Sequence, residues 1–120
     1  MKPSEPRIVR PSESVRRDFD GGHVLNYIMK EFSPDLSVAL GNVNGIHGPT
    51  KNMRSTRAYY IVAGTAVITL NGAERPVSAN DAVFIPVKTV HKIEGNVRYI
   101  VVNAPAFDPA TEVYGDKLEI

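Results

Sequence analysis

Residues 45–64, GIHGPTKNMRSTRAYYIVAG, run from one glycine to another, through a polar turn-rich half into an apolar half. The second half opens the clearest strand signal in the chain. Ala58 to Leu70 is rich in Tyr, Ile, Val and Thr and is broken only by Ala63-Gly64. Asn71-Gly72 follows as a hairpin signal, because a type I′ turn needs positive φ at both central residues. Downstream, Val77, Ala82 to Ile85, His91 to Ile93 and Val97 to Val102 repeat short apolar segments separated by turn residues. Upstream, Val15 to Phe19 closes on Asp20-Gly21-Gly22, His23 to Met29 leads to the turn Ser33-Pro34-Asp35, and Ser37 to Val43 runs into Asn44-Gly45. No stretch keeps a helical period over three turns. Short strands this closely spaced predict an all-β sandwich or closed barrel.

The length of 120 residues gives one domain with one core, without help from disulfides. With 42% hydrophobic and 22% charged residues, the chain is neither disordered nor built of membrane spans. No apolar run reaches the roughly 20 residues that a bilayer needs. The opening MKPSEPRIVRPSES has no apolar core and does not read as a signal peptide. The absence of cysteine removes thiolate metal sites and cysteine nucleophiles. A net charge of +1, with basic and acidic residues interspersed, argues against a nucleic-acid partner. These features read as a cytoplasmic protein. Pro3, Pro6 and Pro11 around Ile8-Val9 make residues 1–14 an arm, placed to be exchanged in a homodimer or else to fray. Residues 15–108 then form the barrel and 109–120 a tail.

Two stretches, Gly45–Gly64 and Asn80–Asn96, resemble the paired motifs of the cupin superfamily, a small double-stranded β-helix or jelly-roll barrel. The first motif spaces Gly, His-x-His, Glu and Gly. Gly45 and Gly64 take its glycine places, and its ligand places fall on Lys51, Met53 and Arg57. In the second motif Asn80 stands for the first glycine, Pro86 is kept, Lys88 replaces the second glycine, His91 is kept, and Gly95 takes the Asn place. The resemblance covers roughly Ser37 to Asp108. It implies a small-molecule cavity inside a barrel, and a homodimer. Of the three His and one Glu that hold a divalent metal in typical cupins, only His91 remains. Arg offers no lone pair, and one imidazole with a thioether suits zinc, manganese or ferrous iron poorly. The expectation is therefore no cofactor, with a displaced metal site from His47, His91 and Asn52 as the lesser alternative.

Strand parity gives the interior its expected content. With Arg57 inward, Tyr59, Ile61 and Ala63 follow it, and His91 shares a face with Ile93. The predicted floor is His91, Arg57 and Tyr59, with Lys51 or Met53 near the mouth. His91 is the expected acid–base group and Tyr59 its assistant. Arg57, with Lys51, would hold a small anionic ligand. Each residue also has a plainer reading: His91 as an inert remnant, Arg57 paired with a carboxylate from the arm or from a partner subunit, Tyr59 as strand packing, Met53 as a gap-filler, and Lys51 and His47 as loop residues. Two functions follow from the resemblance: a metal-independent isomerase, epimerase or cyclase, or a non-catalytic cupin that binds or senses a small anion. A metallo-cupin with rearranged ligands is the third.

Overall fold

The computed structural model describes residues 5–118. The first four residues of the predicted arm and the last two of the predicted tail lie outside the described residues. Eight strands carry the fold: β1 (Val15–Phe19), β2 (Gly22–Ile28), β3 (Ser37–Asn52), β4 (Thr56–Leu70), β5 (Ala73–Ser78), β6 (Ala82–Ile85), β7 (His91–Ala104) and β8 (Glu112–Tyr114). The only helical pieces among the described residues are three-residue 3-10 turns at Pro11–Glu13, Pro109–Thr111 and Gly115–Lys117. Among the described residues no helix is long and apolar enough to cross a membrane.

All pairings are antiparallel, in the order β1-β2-β3-β7-β4-β5, with β6 added to β4 and β8 to β3. The all-β jelly-roll architecture is as expected, but the barrel is not closed by hydrogen bonds, since β1 and β5 remain separate ends of the ladder. The hairpin at Asn71-Gly72 forms as predicted, with φ of 48° and 85°. Two predicted short strands merge into β7 through Gly95, at φ 153°, where a Cβ would lie 2.5 Å from the Thr65 carbonyl oxygen. Gly64 is held as tightly, since a Cβ there would meet the Asn96 oxygen at 2.1 Å. Only glycine lets these long strands cross so closely.

Two bulges decide which side chains face inward. One lies between Ile61 and Ala63 of β4, so Arg57, Tyr59 and Ile61 are buried while Ala63 is exposed, contrary to the parity expectation. The other lies at Gly48-Pro49 of β3, between the pairs His47↔Ile93 and Thr50↔His91. The interior therefore separates along its axis. Ile61, Ile68, Val83, Ile85, Ile93 and Val97 fill one end as a continuous apolar cluster, each worth about 1.5–3 kcal/mol in burial. Thr50, Asn52, Ser55, Arg57, His91 and Asn103 are buried at the other end. That polar end holds the candidate site.

Candidate functional site

The bulge at Gly48-Pro49 shifts β3 by one residue. Thr50 and Asn52 turn inward, and Lys51 and Met53 turn outward. The cavity-mouth roles expected for Lys51 and Met53 do not hold. Lys51 pairs with Val113 on the outer side of the β3–β8 ladder, and Met53 is 43% exposed. Asn52 is buried at 3% exposure and fully bonded. Its Nδ2 donates to Thr111 Oγ1 (2.9 Å) and Glu112 Oε1 (2.8 Å), while its Oδ1 accepts from the backbone of Arg54 (2.9 Å) and Ser55 (2.6 Å). It braces the corner and has nothing left for a ligand.

Arg57 and Glu112 form the centre of this end of the barrel. Arg57 Nη1 and Nη2 donate to the two Glu112 oxygens at 3.1 and 3.0 Å, and Nε donates to Asn103 Oδ1 at 2.7 Å. The Arg57 side chain is 6% exposed and that of Glu112 is 2%. Thr50 Oγ1 adds a 2.8 Å hydrogen bond to Glu112 Oε2. Burial works against both charges. Tyr59 and Glu112 outweigh it for the guanidinium and hold it charged. The hydrogen bond and charge of Arg57, with bonds from Asn52 and Thr50, outweigh it for the carboxyl, which lies below the usual range. Arg57 is thus satisfied by a protein carboxylate and is not the anion-holding residue expected from the sequence. Glu112 lies beyond the motifs, in the segment read as a tail. That segment joins the sheet as β8 and sends Glu112 and Tyr114 inward on the same parity.

His91 is 2% exposed and both ring nitrogens are engaged. Nδ1 donates to the Thr89 carbonyl (2.9 Å), so Nε2 is the acceptor for Arg57 Nη1 (3.0 Å). Burial, and then the Arg57 charge, lower its pKa to about 4. Locked as the neutral Nδ1–H tautomer behind Arg57, it is a positioning group and does not reach the cavity as the expected acid–base. The interior positions that correspond to a cupin's metal ligands, corrected for the bulge, are Thr50, Asn52, Arg57 and His91. Three of them donate to one internal carboxylate and the fourth accepts from Arg57. A hydroxyl, an amide nitrogen, a guanidinium and an imidazole already engaged do not make a metal donor set. The alternative of His47, His91 and Asn52 meets the same obstacle, since both ring nitrogens of His91 and both polar atoms of the Asn52 amide are already engaged.

The cavity beside this pair has a volume of about 60 Å³ and is walled by Arg17, Asn26, His47, Arg57, Tyr59 and Tyr114 among others. His47 is the sequence-predicted residue that this cavity promotes. Its ring stacks on Phe19 with centroids 4.0 Å apart, and no described residue hydrogen-bonds it. Burial lowers its pKa, opposed by Glu112 and reinforced by Arg57 and Arg17, so the ring is neutral. Tyr59 is 2% exposed, stacks on Tyr99 at 4.6 Å and meets His91 edge-on at 6.2 Å. Burial raises its pKa, so it is a phenol. His47 and Tyr114 also wall a second pocket of about 290 Å³ with Phe19, Asp20, Ile46 and Pro49. A larger concavity of about 350 Å³ over Gly22, Asn42, Ala63 and Asn96 has only His23 and Arg98 as ionisable walls, and the His23 ring lies 3.4 Å from Asn42 Nδ2.

A curled antiparallel jelly roll with a polar cavity at one end defines the class, a cupin fold. Comparison with solved structures agrees. Streptomyces PAC13, in a tyrosine-to-phenylalanine variant with uridine, is 26% identical with a TM-score of 0.86, over 96% of this chain and 94% of that one. PAC13 is described as a nucleoside dehydratase. KdgF from Halomonas sp. shares the fold at 22% identity and a TM-score of 0.74, over 88% of this chain and 99% of that one. An uncharacterised protein of Methanocaldococcus jannaschii is 35% identical over 71 residues, 58% of this chain and 54% of that protein, so the chain spans about half the length of that relative. No family model matches. The chain belongs to the cupin superfamily.

Proposed function

We propose that this chain is a metal-independent cupin enzyme that moves a proton on a small polar organic molecule, with His47 as the acid–base group. The observation that carries the reading is the position of His47. It is the one imidazole facing both the inner cavity and the outer pocket, neutral and with its nitrogens free of described partners. A neutral imidazole accepts a proton from a substrate C–H or O–H and returns it at a second atom. Tyr59 and Tyr114 line the same cavity, and their phenols would hydrogen-bond the oxygen on which negative charge develops. The inner cavity alone is well below the roughly 300 Å³ of an ordinary small-molecule site, but with the outer pocket it reaches that range. The reacting end of the substrate would enter the barrel and the remainder would lie over Phe19 and Pro49.

The likeness to a nucleoside dehydratase that has been seen with uridine supports a dehydration, isomerisation or epimerisation on a nucleoside- or sugar-like molecule. The PAC13 structures with uridine include His→Gln and Tyr→Phe variants, residue types that also wall this cavity. Arg57 and Glu112 hold the floor and the C-terminal segment together and fix Tyr59. The test is a ligand screen by thermal shift followed by turnover assays with chelator present. Wild type should convert at least one binder, and His47→Gln should retain binding while losing turnover. Binding without turnover in the wild type would instead favour the non-catalytic sensor.

A further inference from the structure

The two arginines and one glutamate around the inner cavity leave one positive charge, because His47 is neutral and the tyrosines are phenols. Arg57 and Glu112 cancel within their own network. The unbalanced charge is Arg17. It lies on β1, where alternation puts Arg17 and Phe19 on one face and Arg16 and Asp18 on the other. The outward pair is closed on itself, Arg16 Nε to Asp18 Oδ1 at 2.9 Å. Phe19 packs against His47, and Arg17, although exposed to solvent on β1, lines the cavity with its guanidinium carbon 4.9 Å from the Phe107 ring centre. Arg17 has no carboxylate within 4 Å among the described residues. Asn26 and Ser37 line the same wall.

We propose that Arg17 is the specificity residue of this site and that the ligand carries a compact oxyanion, a carboxylate or a phosphate monoester, received by its guanidinium beside Asn26. This rests on the assignment of the cavity as the substrate site. It departs from the neutral uridine of the structural neighbour, and it moves the anion-binding role from Arg57 and Lys51 to a strand outside both motifs. The guanidinium is planar and weakly hydrated, suited to grip an oxyanion in two hydrogen bonds, and it lies within cation–π range of the Phe107 ring. A group of this size fits the inner volume, while the carbon skeleton extends past His47 into the outer pocket.

Calorimetry and thermal shift with matched pairs test it: glucuronate against glucose, and ribose 5-phosphate against ribose. At least one anion should bind and its neutral parent should not. Arg17→Gln should weaken that binding tenfold or more and Arg17→Lys less, with the ligand-free melting temperature unchanged. Which pair responds separates carboxylate from phosphate. Equal binding of anion and parent, no binding of either anion at millimolar concentration, or unchanged affinity in Arg17→Gln would each overturn the proposal. His47→Gln keeps the two readings apart. Anion binding that depends on Arg17, with turnover indifferent to His47, would leave the anion site standing and remove the acid–base assignment. Neutral substrates turned over only with His47 intact would do the reverse.

Discussion

Glu112→Gln keeps the shape of the side chain and removes its charge. Arg57, with a side chain 6% exposed, would then face one neutral carbonyl oxygen in place of a carboxylate, with the carboxamide NH₂ set against its other N–H group. Breaking a buried ion pair from one side costs about 3–5 kcal/mol, because the remaining charge is neither hydrated nor paired. An exposed pair would be worth about 0–1 kcal/mol. For a domain of 120 residues, at about 2 cal/mol/K of unfolding entropy per residue, the loss amounts to a fall in melting temperature of roughly 12–20 °C. Circular dichroism in heat and in urea measures it. The double variant Arg57→Met/Glu112→Leu, which removes both charges, should be more stable than either single variant. A Glu112→Gln protein within about 1 kcal/mol of wild type, or a double variant no better than the worse single one, would refute the central role of the pair.

Acid should destabilise the protein through the same network. His91 has a folded pKa of about 4, below its unfolded value near 6.5, so the unfolded chain binds more protons between those limits. Stability should therefore fall as pH drops from about 6.5 towards 4, by on the order of 3 kcal/mol, and His91→Gln should flatten that window; equal slopes in the two proteins would contradict the locked neutral tautomer. Protonation of Glu112, whose carboxyl is held low by Arg57, adds a further loss below the ordinary carboxylate range. Lys51→Gln and Met53→Ala should each change stability by less than about 0.5 kcal/mol and leave ligand binding untouched, since both side chains face outward; a binding defect in either would restore the unbulged register. We also propose that the outer sheet face bearing Tyr60, Val62 and the 70%-exposed Phe84 is where two copies associate. Phe84→Glu, and separately deletion of the first ten residues, should then delay elution on a sizing column, and an unchanged elution volume in both would remove this face and the arm as the dimer contact.

Much of the fold was legible because local chemistry and global fold agree. Val15–Phe19 and Ala82–Ile85 fall where the apolar runs put them, and Asn71-Gly72 makes its turn. What was not legible depends on contacts distant in sequence. The bulge at Gly48-Pro49 inverts the parity of the rest of β3, so a motif count that places Lys51 and Met53 inward is off by one there. Glu112 lies 55 residues from Arg57, and its inward direction follows only from the pairing of β8 with β3. The sequence held one signal for it: a buried arginine demands an anion, and the segment beyond the motifs contains carboxylates. His47 looked like a loop residue because its neighbours are glycines, but the β3–β7 ladder runs straight through it.

The most direct measurement is mass-spectrometric detection of turnover, incubating chelator-treated protein with a pool of nucleosides, sugars, uronates and sugar phosphates. The proposal predicts conversion of at least one compound in wild type, persistence of that conversion in chelator, and its loss in His47→Gln. Conversion that stops in chelator, conversion that survives His47→Gln, or a pool left wholly unchanged would contradict it.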